Sequence, residues 1–272
     1  MPEAATSTLH PLVQEAVHSF LALADREAPG LIEGLYLTGS VALGDFRPDE
    51  SDVDFVAMTR GRADAVAVAR LERIHDKLRA RRRLPRLEGV FVTWTDLALD
   101  PAHVEPAPCW HVDRLQAVDC SKLTPVTWRE LGQGSLTIRG PASSALTVWH
   151  DPAVLAAWTR RNLQTYWREW HTQSSRLRSR AGLAMLGTWA PAWGVLGVSR
   201  LHFTLTSGDI TSKEGAGLHA RSLYPARWHR IVEECLRIRR GERGRSLYWS
   251  PLARRRDALD FLAMVLDAAP RA

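Results

Sequence analysis

The sequence predicts an α+β chain, with a mixed sheet and flanking helices in residues 1–150 and an α-helical bundle in residues 151–272. Three observations carry this expectation. Short apolar runs bounded by Gly, Pro and Asp, namely Leu35-Tyr36-Leu37, Phe55-Val56-Ala57-Met58 and Val90-Phe91-Val92, read as strands. Segments with apolar residues at helical spacing lie before and between them. After Asp151-Pro152, an N-cap followed by a first-turn proline, helical periodicity dominates to the end.

Taken in order, His10 to about Ala28 places Leu12, Val13, Ala16, Val17, Phe20 and Leu21 on one face, so an amphipathic helix covers the sheet until Ala28-Pro29-Gly30 stops it. The first strand ends at Gly39-Ser40, where a short helical turn begins. A polar loop then leads to Asp52-Val53-Asp54 and the second strand. Residues 62–83 form a second helix, whose closing run Arg79 to Arg83 favours the negative end of the helix dipole. That run lacks interleaved aromatics, which argues against a nucleic-acid patch. Leu84-Pro85 breaks the helix, and residues 87–94 form a third strand with Glu88 at its entrance. The acidic, proline-rich segment Asp96 to Pro108 reads as a loop at the mouth of the sheet. Trp110 beyond it is either a core anchor or a platform for a ligand ring. Residues 109–140 give short strand-like pieces, among them Ser135 to Ile138. In the second half, helices are expected near 152–171, 174–188, 192–207, 212–223, 225–240 and 251–267, packed as an antiparallel bundle with most of its tryptophans in the core.

One stretch demands a chemical explanation. Side chains alternate along a strand, so Asp52 and Asp54 project from one face, where two carboxylates repel unless a cation lies between them. A solvated or capping Asp-x-Asp is common, but this one follows a Gly-Ser turn that lets backbone approach an anion and offers a hydroxyl and an N–H to phosphate. Magnesium, which prefers a few carboxylates plus phosphate oxygens, satisfies both halves.

Gly39-Ser40 followed by Ser51-Asp52-x-Asp54, each set against a strand, resembles the signature of the nucleotidyltransferase superfamily. That resemblance implies a third carboxylate on the neighbouring strand. Glu88 occupies this position and is expected to act as general base. The segment from Arg200 through Ser207-Gly208-Asp209-Ile210 to Lys213 is similar to the helical domain of the streptomycin and spectinomycin adenylyltransferases. The similarity implies that Arg200 and Lys213 reach across a cleft to the phosphates of ATP, with Asp52 and Asp54 holding Mg²⁺. The expected reaction is AMP transfer from ATP to a hydroxyl of an aminoglycoside or aminocyclitol antibiotic. Streptomycin-modifying members place a Trp and carboxylates ahead of the Arg-bearing helix, whereas here no acidic residue lies between Glu169 and Asp209. A doubly guanidinylated drug would leave its charge unpaired there, so spectinomycin is the better fit. A phosphate-side tyrosine of the family is replaced in the region of Arg237 or Arg239. The alternatives are a nucleotidyltransferase with a protein or RNA acceptor, and a nucleotide-binding regulatory protein without turnover.

Composition bounds the rest. With 272 residues, 45% of them hydrophobic and 24% charged, the chain suits a globular protein. No stretch resembles a membrane span, and the first residues lack a basic region followed by an apolar one. The expectation is a cytoplasmic monomer whose Cys109, Cys120 and Cys235 stay reduced. Charge is uneven. Residues 88–119 carry a net −5, suited to a cationic drug, and residues 221–256, with eleven arginines, a net +8.

Overall fold

In the computed structural model, which describes residues 9–81, 83–112, 114–117 and 120–268, the chain divides into two units, Met1–His150 and Asp151–Ala272. Arg82, Asp113 and Asp119, which belong to charged runs noted above, lie outside the described residues.

The first unit is built on a six-stranded mixed sheet. Strands β1 (Ile32–Leu37), β2 (Val53–Thr59), β3 (Leu87–Thr93), β4 (Cys109–His111), β5 (Arg114–Gln116) and β6 (Leu136–Arg139) lie in the order β5-β4-β3-β2-β1-β6. Only β2 and β3 pair in parallel, with Asp54 opposite Glu88. The other neighbours are antiparallel. Strand alternation sorts the core into two layers. Val53, Phe55, Ala57 and Phe91 face one side, where α1 (Pro11–Glu27) and α3 (Ala65–Arg79) supply Val17, Phe20, Leu71 and Ile74. Val56, Met58, Val90 and Val92 face the other, where α4 (Pro125–Gly134) supplies Trp128 and Leu131. Asp54 and Glu88 have the parity of this second layer.

Helix α4 is absent from the sequence expectation, which gave only strand-like pieces for this region. Its N-cap is Thr124, whose side chain accepts the Thr127 N–H, with Pro125 in the first turn. The acidic segment after β3 is likewise not an open loop but two 3-10 turns, Trp94–Ala98 and Pro101–His103. Trp110 resolves to the core. It is fully buried, with Phe20, Phe55 and Phe91 ring centroids at 5.1, 5.5 and 5.1 Å, an edge-to-face cluster that makes it a core anchor.

The second unit is helical, comprising α5 (Pro152–Asn162), a π-helical turn (Leu163–Trp167), α6 (Arg168–Ser175), α7 (Arg180–Ala184), α8 (Trp189–Ser207), α9 (Lys213–Leu223), α10 (His229–Arg239) and α11 (Pro251–Ala268). Helix α8 is its centre and packs against α5, α9, α10 and α11. The expected helix at 174–188 is interrupted, with α6 ending at Ser175 and only the short α7 forming within the rest. Arg255 donates to the carbonyls of Ser174 and Ser175 at 2.9 and 2.7 Å, closing α6. Gly182 then approaches the Arg176 carbonyl so closely that any side chain would collide with it. Trp167 is buried, but Trp189 is 62% exposed and stacks on Trp193 with centroids 5.6 Å apart. Among the described residues no helix is long and apolar enough to cross a membrane. The three cysteines are unbridged.

The charge asymmetry is mostly internal bookkeeping of the fold. Asp96, almost fully buried, binds Arg62 at 2.8 and 2.9 Å and accepts the Thr93 N–H. Asp100 caps a 3-10 turn through the Ala102 N–H. In the basic stretch, Arg221, Arg237, Arg240, Arg254 and Arg256 pair with carboxylates. Arg230 and Arg255 bind backbone carbonyls.

Glu234 anchors this network. It has no solvent exposure and receives Arg237 at 2.8 and 3.0 Å, Ser246 Oγ at 2.6 Å, the Leu247 N–H at 3.0 Å and Arg254 at 3.4 Å. Burial alone would raise its carboxyl, but these donors outweigh burial and hold it at about 2, below the ordinary 4.5. A depressed folded-state value contributes stability that is complete above the ordinary value and is lost as pH falls through about 2. Replacing Glu234 with Ala leaves the buried Arg254 unpaired and is expected to cost about 3–5 kcal/mol in urea unfolding at neutral pH. Glu234→Gln should remove this group's share of the acid destabilisation. An unchanged acid profile in the Gln variant would show that the carboxylate is not held ionised.

Candidate active site

The site is built on the edge where β2 and β3 begin. Thr38 N–H binds the Asp54 carbonyl at 2.9 Å, bringing the end of β1 and the short helix α2 (Gly39–Ala42) onto β2. Gly39 has φ of 57°, and a Cβ there would collide with Asp54 Oδ2. Glycine is therefore required twice, for the left-handed backbone and for the close approach. Ser40 follows it in the first turn of α2, and the Thr38 side chain makes no capping bond to that turn. The loop to β2 is fixed by Arg47 N–H on Ser51 Oγ at 3.0 Å, and Val53 N–H on the Arg86 carbonyl at 2.7 Å starts the parallel pairing.

The parallel register then brings Asp52, Asp54 and Glu88 together. Asp52 and Asp54 are half-buried and Glu88 is buried. Burial first, then the charges of Glu88 and Asp54, push the Asp52 carboxyl up to about 6. Glu88 behaves oppositely. Burial alone would raise it, but the charge and hydrogen bond of Lys122 and the Val112 N–H, at 3.1 Å from Oε1, hold it below the usual carboxylate range. It is therefore ionised at neutral pH and able to accept a proton.

Lys122 was not singled out by the sequence reasoning. Its Nζ lies 3.0 Å from Asp54 Oδ1 and 2.6 Å from Glu88 Oε2. Its place comes from the missed helix. Thr127 Oγ1 in the first turn of α4 donates to the Lys122 carbonyl. Ser121 Oγ and His111 Nδ1 share a hydrogen bond at 3.0 Å, tying the loop to β4. The available signal was compositional, since Lys122 is one of three lysines in a chain with 36 basic residues.

The donor set fits a divalent cation that arrives with a nucleotide. Burial, followed by the charges of Glu88 and Asp54, disfavours the ionised form of Asp52, a bias that a bound cation would relieve. Among the described residues no three His, Cys, Asp or Glu side chains converge as a preformed metal cage. Magnesium does not require one, because phosphates and water complete its shell. Asp52 and Asp54 would hold it.

Arg200 and Lys213 belong to the second unit and meet at one turn. Arg200 Nε on α8 donates to the Thr211 carbonyl at 3.1 Å, and Lys213 opens α9 just after the N-cap Ser212, whose Oγ accepts the Gly215 N–H at 3.0 Å. Gly208, with φ of 74°, closes α8 before that turn. Of the two arginines noted on α10, Arg237 is committed to Glu234 and Arg239 is buried.

Comparison with known proteins gives two family matches. Residues 22–88 match the nucleotidyltransferase domain, and residues 157–256 match the aminoglycoside adenylyltransferase C-terminal domain. Among solved structures, the chain is similar to spectinomycin adenyltransferase AAD(9) from Enterococcus faecialis, solved with ATP and spectinomycin. The TM-score is 0.63 at 14% identity, over 93% of this chain and 98% of that one. No curated protein matches the chain.

Gly39→Ala tests the geometry of the turn. Strain and the collision with Asp54 should cost about 1–3 kcal/mol and weaken Mg-nucleotide binding in calorimetry. Gly44→Ala is the control, because φ is 68° there but a Cβ meets nothing within 4 Å. Equal nucleotide affinity in the two variants would show that the approach of Gly39 to Asp54 does not matter.

Proposed function

From a chain that belongs to the aminoglycoside adenylyltransferases of the nucleotidyltransferase superfamily, we propose Mg²⁺-dependent transfer of AMP from ATP to a hydroxyl of an aminocyclitol or aminoglycoside, with release of pyrophosphate. The observation that carries this reading is the grouping of Asp52, Asp54 and Glu88 where the adjacent central strands β2 and β3 begin, with the Gly39 turn packed on Asp54.

In this reading Gly39 and Ser40 cradle the polyphosphate, the glycine by close backbone approach and the serine through its hydroxyl and N–H. Asp52 and Asp54 hold the magnesium. When bound, the ion neutralises phosphate charge and orients the α-phosphoryl group. Glu88 takes the proton from the acceptor hydroxyl, whose oxygen forms the new bond to the α-phosphorus as the bond to the pyrophosphate oxygen breaks. The second unit's candidates for neutralising phosphate charge are Arg200, a planar fork, and Lys213, a point charge. The chain contributes mainly position and charge.

Spectinomycin is favoured over streptomycin because the stretch before Arg200 offers no carboxylate to a guanidinium. Between Glu169 and Asp209 it carries Arg176, Arg178, Arg180 and Arg200 and no acid. A buried, unpaired guanidinium would cost several kcal/mol. Within the acidic stretch 88–119, Glu88 and Asp96 are already paired.

Pyrophosphate release with Mg-ATP, together with mass spectrometry for the gain of one AMP, tests the proposal. Spectinomycin should give signal and streptomycin little or none. Asp52→Asn should lower turnover at least about 10³-fold while leaving thermal unfolding near wild type, and Lys213→Ala should raise the KM for ATP. Full turnover in Asp52→Asn would refute the metal assignment, and modification of streptomycin alone would refute the specificity argument.

A further inference from the structure

Lys122 is poised where a second cation would otherwise be needed. An ammonium has three N–H donors and is a compact point charge, and here two of its donors reach Asp54 Oδ1 at 3.0 Å and Glu88 Oε2 at 2.6 Å. Side-chain exposures of 26%, 32% and 9% for Lys122, Asp54 and Glu88 shield the cluster in part from solvent. Charges interact there far more strongly than in an exposed pair. The lysine is also held in place from behind, through the Thr127 hydroxyl on its own carbonyl and the Ser121–His111 bond. It is not a flexible surface side chain that happens to lie near an acid.

We infer that Lys122 is a positioning residue: an internal counter-cation that keeps Asp54 and Glu88 assembled in the nucleotide-free protein and yields Asp54 to Mg²⁺ when the metal nucleotide binds, remaining on Glu88. The inference rests on the assignment of Asp54 as a metal ligand above. Two cations cannot both neutralise one carboxylate at full strength, so lysine and metal compete for Asp54. Glu88, which takes no metal in that assignment, keeps its partner and its orientation. The lysine thus substitutes for metal charge before binding and aims the base after it.

The test is thermal unfolding of the full chain titrated with MgCl₂ alone, for wild type, Lys122→Met, Lys122→Gln and Lys122→Arg. Removing the lysine charge leaves three clustered carboxylates. Lys122→Met should therefore melt several degrees lower without metal and bind Mg²⁺ about tenfold more tightly than wild type, or better. Lys122→Gln keeps an N–H donor and removes only charge. It carries the same expectation should the Met variant fail to fold. Lys122→Arg should restore the metal-free melting temperature. In AMP transfer, Lys122→Gln should lose about 10²-fold in kcat with little change in the KM for ATP, the split expected when the base is misaimed. A Mg²⁺ response identical to wild type in both neutral variants overturns the inference. A purely structural lysine would lower the melting temperature without altering the Mg²⁺ response. The melting series contains no acceptor, so it reads Lys122 even where the proposed antibiotic is wrong. Absence of any Mg²⁺ response in all four proteins overturns this inference.

Discussion

Mutual repulsion among three carboxylates is the constraint around which the first unit is arranged. The parallel pairing of β2 with β3 sets Asp54 directly opposite Glu88, and the residue two before Asp54 is another aspartate. In water such a cluster would cost little. Half-buried against a sheet, it requires compensation, and the fold supplies that with a lysine from the turn before α4, a backbone N–H from a hairpin turn and a glycine that clears space beside one carboxylate. The residual imbalance falls on Asp52. An arrangement that spends buried space on concentrated negative charge makes sense where positive charge is delivered by the ligand.

Much of this was legible in the sequence because it is local. Alternation fixes which side chains of Asp52-Val53-Asp54 share a face, and Gly39 announces a backbone that other residues avoid. The helices α1, α3, α8 and α10 follow from apolar spacing over many residues. What escaped is what depends on distant contacts. Helix α4 is short and begins with Thr-Pro, a pattern equally at home in a turn, and its identity is decided by Trp128 and Leu131 packing beneath the sheet. With α4 missed, nothing in the sequence connected Lys122 to Asp54, 68 positions earlier. Net charge misled for a related reason. Counting residues along the chain cannot show that Asp96 is sealed against Arg62 or that Arg254 and Arg237 converge on one buried glutamate.

The helical unit shows a complementary economy. Its central helix α8 carries small residues on the surfaces where aromatic rings press. A Cβ at Gly197 would run into Trp167, and one at Gly194 into Trp170. Trp167 and Trp170 are therefore matched by glycines on the facing helix, where ring fills gap.

The turn that serves Glu88 has a cost of its own. Val112 has φ of 48° at the β4–β5 hairpin, a conformation that a β-branched residue enters only under strain of about 1–3 kcal/mol. Glycine or asparagine would occupy the same backbone with less strain. A branched side chain, however, narrows the range of neighbouring conformations, and the N–H it carries is the one directed at Glu88. Robustness and accuracy are set against each other at this single position. A lineage selected for heat tolerance would be drawn to relax it, and one selected for turnover would keep the valine.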